Sequence, residues 1–484
     1  MRAPATDPIE RSAELTLILM NSTGGPLPYP HKEATLNPNG SPSTTSRPGN
    51  QTTEPIQDTG KSLKRNSAWM LSGQSLSMAF QALYFVLIGR AIGSHEYGAF
   101  VGVASLISVL AQFSGLGMDL IIIRDVSRNP KAFARSWGLA LELTTLGFVV
   151  VTGIALVIGQ FILSPEVRVL IPFIAISDAF FARISVLCSK AYQGFSQFRG
   201  SAQIMMLTNA ARALFAGLLY AMVMVLHVQA TAYLWTRIYW ISSLGVALLS
   251  LILVTRAFGM PAWAKITGKE LSEGFSFSLS SSSISVYNDV DKTMLVSMGM
   301  NDAAGIYAAA YRIVDTASTP IYSVFAAAFP QFFREGSKSV KHACVFSLKL
   351  LKKTSYYSIA AAALMFFTAP LLSHILGGSF ARSSEALRWL CLLPLIRCFH
   401  YAGGTTITGS VSQWYRTVQQ IAVALLNIGL NAWLIPIYSW RGAAAASLLS
   451  DAALAAMNWI CVAWLIARQQ NAGPTQELAD VPEA

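Results

Sequence analysis

Charge is what this sequence has least of. Only 12% of its 484 residues are Asp, Glu, Lys or Arg, while 53% are apolar. Soluble domains carry about 25% charged residues, so this chain cannot clothe itself in a hydrated shell. The shortage excludes the multi-domain soluble enzyme that length alone would suggest. Cysteine and histidine are sparse too. Cys188, Cys344, Cys391, Cys398 and Cys461 lie mostly in apolar runs, without the paired spacing of a zinc site or a secreted disulfide framework, and they read as small core residues. The six histidines show no HExxH-like ligand spacing, so neither metal nor cofactor is expected. No secretory leader is expected either, because Leu15 to Met20 is too short for a signal core and has no basic stretch before it.

What the chain has in abundance is long apolar runs. They recur from Trp69 almost to the C-terminus, at about 69–92, 96–118, 136–162, 168–189, 201–226, 232–255, 275–299, 304–328, 355–377, 386–408, 417–438 and 442–466, each long enough to cross a bilayer as a helix. The expected fold is therefore an all-α integral membrane protein of about twelve transmembrane helices. Residues 1–60, rich in Pro, Ser, Thr, Asn and Gly, hold too little apolar surface to offset the entropy of ordering and are expected to be a disordered tail.

The formal net charge is +11, but its placement speaks for membrane topology rather than nucleic acid. Arg124, Arg128, Lys131 and Arg135 share one loop, and Lys338, Lys341, Lys349, Lys352 and Lys353 share another. The alternate loops hold only Arg90, Arg168, Arg382 and Arg441. Basic residues stay on the cytoplasmic side, so both termini are expected there. A short internal repeat, Gly93 to Phe100 against Met300 to Tyr307, opens spans 2 and 8 with a polar turn, then Gly, one residue and an aromatic. Six helices separate the copies, so they share an orientation. Two six-helix bundles, 61–255 and 275–466, would then be related by a pseudo-two-fold axis along the membrane normal, with a cytoplasmic linker at 256–274 and a cytoplasmic tail at 467–484.

Charged residues inside spans carry the functional signal, because each costs at least ~2.5 kcal/mol at mid-membrane unless it faces protein or water. Arg183, Arg212, Arg237, Arg312 and Arg397 lie in spans 4, 5, 6, 8 and 10; Asp289, Asp291, Lys292, Asp315 and Asp451 lie in spans 7, 8 and 12. The arginines point to a hydrated cavity for an anionic head group such as pyrophosphate, whose oxygens a guanidinium binds bidentately. The alternative is that they pair with carboxylates or snorkel to an interface. Asp289-Val290-Asp291 spells DxD, but residues two apart on a helix face different ways, which argues against metal chelation. Asp289 and Asp291 are coupling candidates, with an i,i+3 salt bridge from Asp289 to Lys292 as the structural alternative. The serines at 276, 278, 280, 281, 282, 283 and 285 would either contact sugar hydroxyls or permit close helix packing. Pro172, Pro320, Pro394 and Pro436 are expected to kink their spans.

Several short marks together resemble a known family. Lys64-Arg65-Asn66-Ser67-Ala68-Trp69, Gly89 to Gly93 with Glu96-Tyr97-Gly98, Asp119 to Arg124, Gln193-Gly194-Phe195, Gly305-Ile306-Tyr307 with Ala310-Tyr311-Arg312, and Trp440 to Ala444 are similar to the recurring marks of Wzx-type polysaccharide repeat-unit flippases. These belong to the multidrug/oligosaccharidyl-lipid/polysaccharide exporter superfamily. The likeness covers about residues 61–466, and the long polar N-terminal extension departs from it. It implies a bacterial inner-membrane transporter, not an enzyme, that moves an undecaprenyl-pyrophosphate-linked oligosaccharide to the outer leaflet, alongside a polysaccharide polymerase and glycosyltransferases. A multidrug exporter of the same superfamily is the nearest rival, though a cavity for cationic drugs should favour acidic residues. A membrane-embedded polymerase or ligase is disfavoured by the lack of a sizeable external loop, and an envelope scaffold by the many charges within spans.

Overall fold

The computed structural model describes residues 59–411 and 414–471. The expected N-terminal tail, apart from its last two residues, and positions 472–484 lie outside the described residues. Helix is the only regular structure among those described, as a lipid-embedded backbone requires, since each N–H and C=O must find its partner within its own segment. Eight helices are long and apolar enough to cross a membrane. These are α1 (Thr59–Ala111), α3 (Phe133–Ile162), α4 (Pro165–Gly194), α5 (Phe198–Leu226), α6 (Ala232–Phe258), α10 (Val340–Leu376), α13 (Trp414–Tyr438) and α14 (Trp440–Asn471). Between them lie α2 (Met118–Arg128), α7 (Gly268–Ser297), α8 (Asn301–Ala327), α9 (Phe329–Gly336), α11 (Ser383–Leu390) and α12 (Leu393–Ser410).

The expected count of twelve is reached only by dividing α1 in two and adding α7, α8 and the pair α11–α12, none of which is apolar enough by composition. α1 does divide. Gly93 has φ 75°, which glycine reaches without a Cβ clash. The rings of Phe85 and Tyr97 then meet at 5.8 Å, where a straight helix would separate them by about 18 Å. α1 is thus a hairpin of spans 1 and 2.

Other boundaries differ from expectation. Much of the stretch 329–354, between the expected spans 304–328 and 355–377, is helical, because α9 buries Phe329 and Phe332 and α10 begins at Val340, capped by the Ser339 hydroxyl. Span 10 is broken at Cys391–Leu392, so Pro394 starts a helix rather than kinking one. Pro172 likewise sits in the first turn of a short helix, whereas Pro320 and Pro436 lie inside α8 and α13. The linker at 256–274 shrinks to the non-helical stretch 259–267, ended by a capping box between Thr267 and Glu270. α14 runs to Asn471, beyond the expected start of the C-terminal tail. The α2 segment was expected as loop, yet it buries Met118, Leu120, Ile121, Ile122 and Val126.

The packing differs between the two ends of the bundle. At the end carrying Gly93, one apolar core joins both halves of the chain, with Ile88, Tyr97, Leu170 and Trp235 packed into the same cluster as Tyr307, Val314, Phe380 and Trp440. Toward the other end the cores separate. One is built from residues such as Met118, Trp137, Leu187 and Val254, and two more from residues such as Phe325, Phe332, Cys398 and Ile407, Val462. The two copies of the sequence repeat meet at the joined end. A Cβ on Gly98 would lie 1.8 Å from the Asn301 carbonyl oxygen, and one on Gly305 would lie 2.0 Å from the Ser94 carbonyl oxygen. Each glycine faces the residue equivalent to the one facing its counterpart, which is the reciprocity of a two-fold contact.

Gly98→Leu or Gly305→Leu should therefore push the halves apart, at a cost of at least about 1–3 kcal/mol for overpacking. Gly153, with nothing within 4 Å of its would-be Cβ, should accept leucine. Thermal unfolding of the detergent-purified variants checks this contrast.

Candidate functional site

The intramembrane charges fall into two groups. In the first half, Asp178 lies on a π-helical stretch of α4, Ala175–Phe181. Its carboxylate accepts a hydrogen bond from the Tyr239 hydroxyl at 2.5 Å and stands 3.5 Å from Nη2 of Arg212. The Arg212 guanidinium also lies over the Tyr239 ring, 5.0 Å from its centre, and its buried Nε has no hydrogen-bond partner. Arg183 takes a different role. Its Nε donates to the Ala111 carbonyl at 2.9 Å and its Nη2 to Oε1 of Gln112 at 2.5 Å, so it caps the free C-terminal carbonyls of α1. Gln112 passes the connection to the Ser285 hydroxyl on α7 at 3.2 Å.

The second half holds a denser network on α7, α8, α12 and α14. Arg397 is clamped between two carboxylates, Asp315 at 2.7 Å and Asp451 at 3.4 Å, and it also donates to the Tyr311 hydroxyl. Asp451 further accepts from the Tyr287 hydroxyl and lies 3.7 Å from Nε2 of His400. The expected i,i+3 pair forms, with Nζ of Lys292 2.7 Å from Asp289 and 4.4 Å from the centre of the Tyr311 ring. Asp289 also accepts from Ser108 across the seam at 3.1 Å. Asp291 turns elsewhere, fully buried against Tyr307 at 2.5 Å and Ser447 at 3.3 Å. The two carboxylates of the DxD share only Lys292, 2.7 Å from Asp289 and 3.9 Å from Asp291, and otherwise meet different neighbours.

The five arginines singled out from sequence thus stand in unlike settings. Arg397 follows the carboxylate-pairing alternative, and Arg212 does so in part. Arg183, Arg237 and Arg312 have no carboxylate within ion-pair distance among the described residues. Arg237 is exposed over the Tyr233 ring at 5.7 Å, and Arg312 lies over Phe85 at 6.0 Å. Arg312 thereby meets the first half of the chain at Phe85 on α1. Within the serine run, Ser282 donates to the Val109 carbonyl at 3.0 Å and Ser285 meets Gln112, so these two serve helix packing; the side chains of Ser276, Ser280 and Ser283 lie outside the described residues.

Sequence reasoning passed over Asp178 and its partner Tyr239. A single carboxylate in the apolar stretch Ile171 to Phe181 carries the same signal as the arginines and marks the site equally well. The tyrosines Tyr287, Tyr307 and Tyr311 gave no such signal, because a tyrosine in a span is ordinary until its hydroxyl is seen to reach a carboxylate.

A family model described as polysaccharide biosynthesis protein matches residues 63–335, more than half of the chain. No curated protein matches the sequence. Among solved structures, the inward-facing conformation of a MATE-family multidrug resistance transporter of the MOP superfamily aligns with a TM-score of 0.66 at 17% identity, covering 84% of this chain and 99% of that one. The outward-facing conformation of a MATE-family multidrug resistance transporter gives 0.55 at 15% identity, covering 85% and 98%. A MOP-superfamily transporter from Pyrococcus furiosus Vc1, described as having a binding pocket of reverse polarity, gives 0.56 at 15% identity, covering 85% and 96%. At such identities the likeness establishes the fold alone. The chain belongs to the polysaccharide biosynthesis protein family and is a multi-pass membrane protein with the fold of MOP-superfamily transporters.

Proposed function

We propose that this protein is a transporter that carries an oligosaccharide linked to undecaprenyl pyrophosphate across the bacterial inner membrane, from the cytoplasmic to the outer leaflet, for surface polysaccharide synthesis. Family membership supports the polysaccharide context. The observation that carries the choice of substrate is the set of guanidinium groups inside the bundle with no carboxylate within ion-pair distance among the described residues, Arg183 and Arg312, together with Arg212 and its unpartnered Nε. Such groups are costly to bury unless a ligand anion meets them, and a pyrophosphate offers the bidentate oxygens that suit arginine.

In this reading the glycan and the pyrophosphate pass through the space between the halves while the lipid tail stays in the bilayer. The joined apolar core at the Gly93 end closes the outer side, and the separated cores at the opposite end correspond to an opening toward the cytoplasm. The higher TM-score to an inward-facing relative is in keeping with this. Both termini are cytoplasmic, and a polymerase and glycosyltransferases supply and consume the substrate on either side. Coupling to a proton or cation gradient falls to Asp289 rather than Asp291, because Asp289 is one-third exposed and bonded across the seam to Ser108, whereas Asp291 is sealed in.

A multidrug exporter is the second reading, favoured by the acidic balance of the second-half network, where Asp289, Asp291, Asp315 and Asp451 outnumber Lys292 and Arg397. Each of these carboxylates is already bonded to a neighbouring side chain, which leaves little for a cationic drug.

Arg212→Ala and Arg312→Ala should each lower export of surface polysaccharide at least ~10-fold at normal membrane levels, the loss expected when an anion contact worth about 1.5–3 kcal/mol is removed. Unchanged export in both variants would sink the anionic-substrate reading, and drug efflux lost in their place would establish the rival. Arg397→Ala should instead lower the amount of folded protein, since removing one partner of a buried ion pair costs about 3–5 kcal/mol; immunoblots of membranes separate the two effects. Asp289→Asn should abolish the stimulation of flipping by an imposed pH or cation gradient in proteoliposomes while leaving gradient-independent flipping measurable.

A further inference from the structure

A second pocket, of about 660 Å³, lies at the Gly93 end, outside the joined apolar core and apart from the arginines already described. It opens where the α1 hairpin turn meets the α7–α8 turn and the α13–α14 turn, so both halves of the chain build it. His95, Asn301, Asp302, Arg382, Trp440 and Arg441 line it. Its size falls within the range of small-ligand sites, about 300–1,000 Å³, yet its lining differs from that of a lipid or drug pocket. An amide, a carboxylate, an imidazole and two guanidinium groups converge there, with one indole beneath Arg441 at 5.3 Å.

Three details argue for a ligand and for its class. First, the Oδ1 of Asn301 is shielded from solvent with no hydrogen-bond partner, while its Nδ2 stands 3.4 Å from Nε2 of His95; a buried acceptor left unfilled costs about 1–3 kcal/mol unless something donates to it. Second, the turn between α13 and α14 holds Ser439 at φ 56°, a conformation that costs a non-glycine residue free energy and persists where surrounding contacts require it. Third, the charge balances. Arg441 is paired with Glu385 at 2.7 Å, and the lining holds one further cation, Arg382, and one carboxylate, Asp302, so the formal charges cancel and leave little to attract a phosphate. Closely spaced donors and acceptors beside an aromatic ring, without net charge, match a polyhydroxylated ligand.

We propose that this outer pocket binds the sugar chain of the exported substrate. The inference rests on the transport reading above and adds to it a site beyond the closed end. One wall of the pocket is also part of the closure: Asp302 accepts a hydrogen bond from Ser94 at 2.7 Å, joining the two halves. The carboxylate has a second oxygen, so a sugar hydroxyl can donate to Asp302 while Ser94 holds the first.

The test is saturation-transfer NMR on the full chain in nanodiscs. The probe is the oligosaccharide released by mild acid from the host's undecaprenyl-pyrophosphate-linked intermediates. Transfer to the sugar protons should be seen with the unaltered protein and fall at least tenfold in affinity with Asn301→Leu or Arg382→Leu, at an unchanged thermal transition. Undiminished transfer in both variants overturns the proposal, as does its displacement by inorganic pyrophosphate, which would make the pocket a phosphate site. Flipping of the lipid-linked substrate, measured in parallel in proteoliposomes, separates the two readings. Flipping without glycan binding refutes the pocket alone, while glycan binding without flipping refutes transport and leaves the pocket standing.

Discussion

The close crossing of the second arm of α1 with α8 is the constraint on which the rest of the molecule depends. Gly98 and Gly305 let two backbones approach until each would-be Cβ lies about 2 Å from the opposing carbonyl. In lipid, where apolar side chains gain little by leaving one hydrocarbon environment for another, such close packing is a main source of helix association. The contact is fixed at one end of the bundle, and the apolar cores of the two halves diverge away from it. A joined core at one end and separate cores at the other describe a bundle sealed on one side.

Burying charge in this frame demands different solutions in the two halves. The second half surrounds two of its cations, Arg397 and Lys292, with carboxylates and tyrosine hydroxyls and so holds them in fixed geometry, while its Arg312 lies over the Phe85 ring instead. The first half gives Arg212 one distant carboxylate and a ring face, and gives Arg183 only neutral acceptors. The first arrangement favours a rigid scaffold, because breaking any member strands a buried charge. The second leaves guanidinium charge only partly balanced.

Much of this was legible in the sequence, for identifiable reasons. Apolar run length revealed the eight long membrane-crossing helices, since the bilayer fixes it. The Gly93 and Met300 stretches stood out as a repeat because the turn, the glycine and the aromatic each have a backbone or packing duty. The Asp289–Lys292 pair could be read from helix geometry alone. Residues such as Arg397 and Arg183 were recognisable as unusual, but their partners were not: Asp451 is 54 positions from Arg397 and Ala111 is 72 from Arg183. Local spacing carries no record of such pairings. Helix boundaries around α2 and α9 escaped for another reason. Their apolar residues are too few for a span and too spread for a loop, and only the surface they cover makes them helices.

The π-helical stretch of α4 has a consequence of its own. A wider turn accommodates an extra residue relative to its α-helical neighbours, and such segments recur at functional sites. Asp178 sits on that turn, and Arg183 follows it on the same rod. Converting the wide turn to ordinary helix would rotate everything beyond it by about 100°, one residue's worth of helical phase. The two side chains are therefore geared together: Arg183 cannot let go of the α1 terminus by such a twist without also changing where the Asp178 carboxylate stands against Arg212.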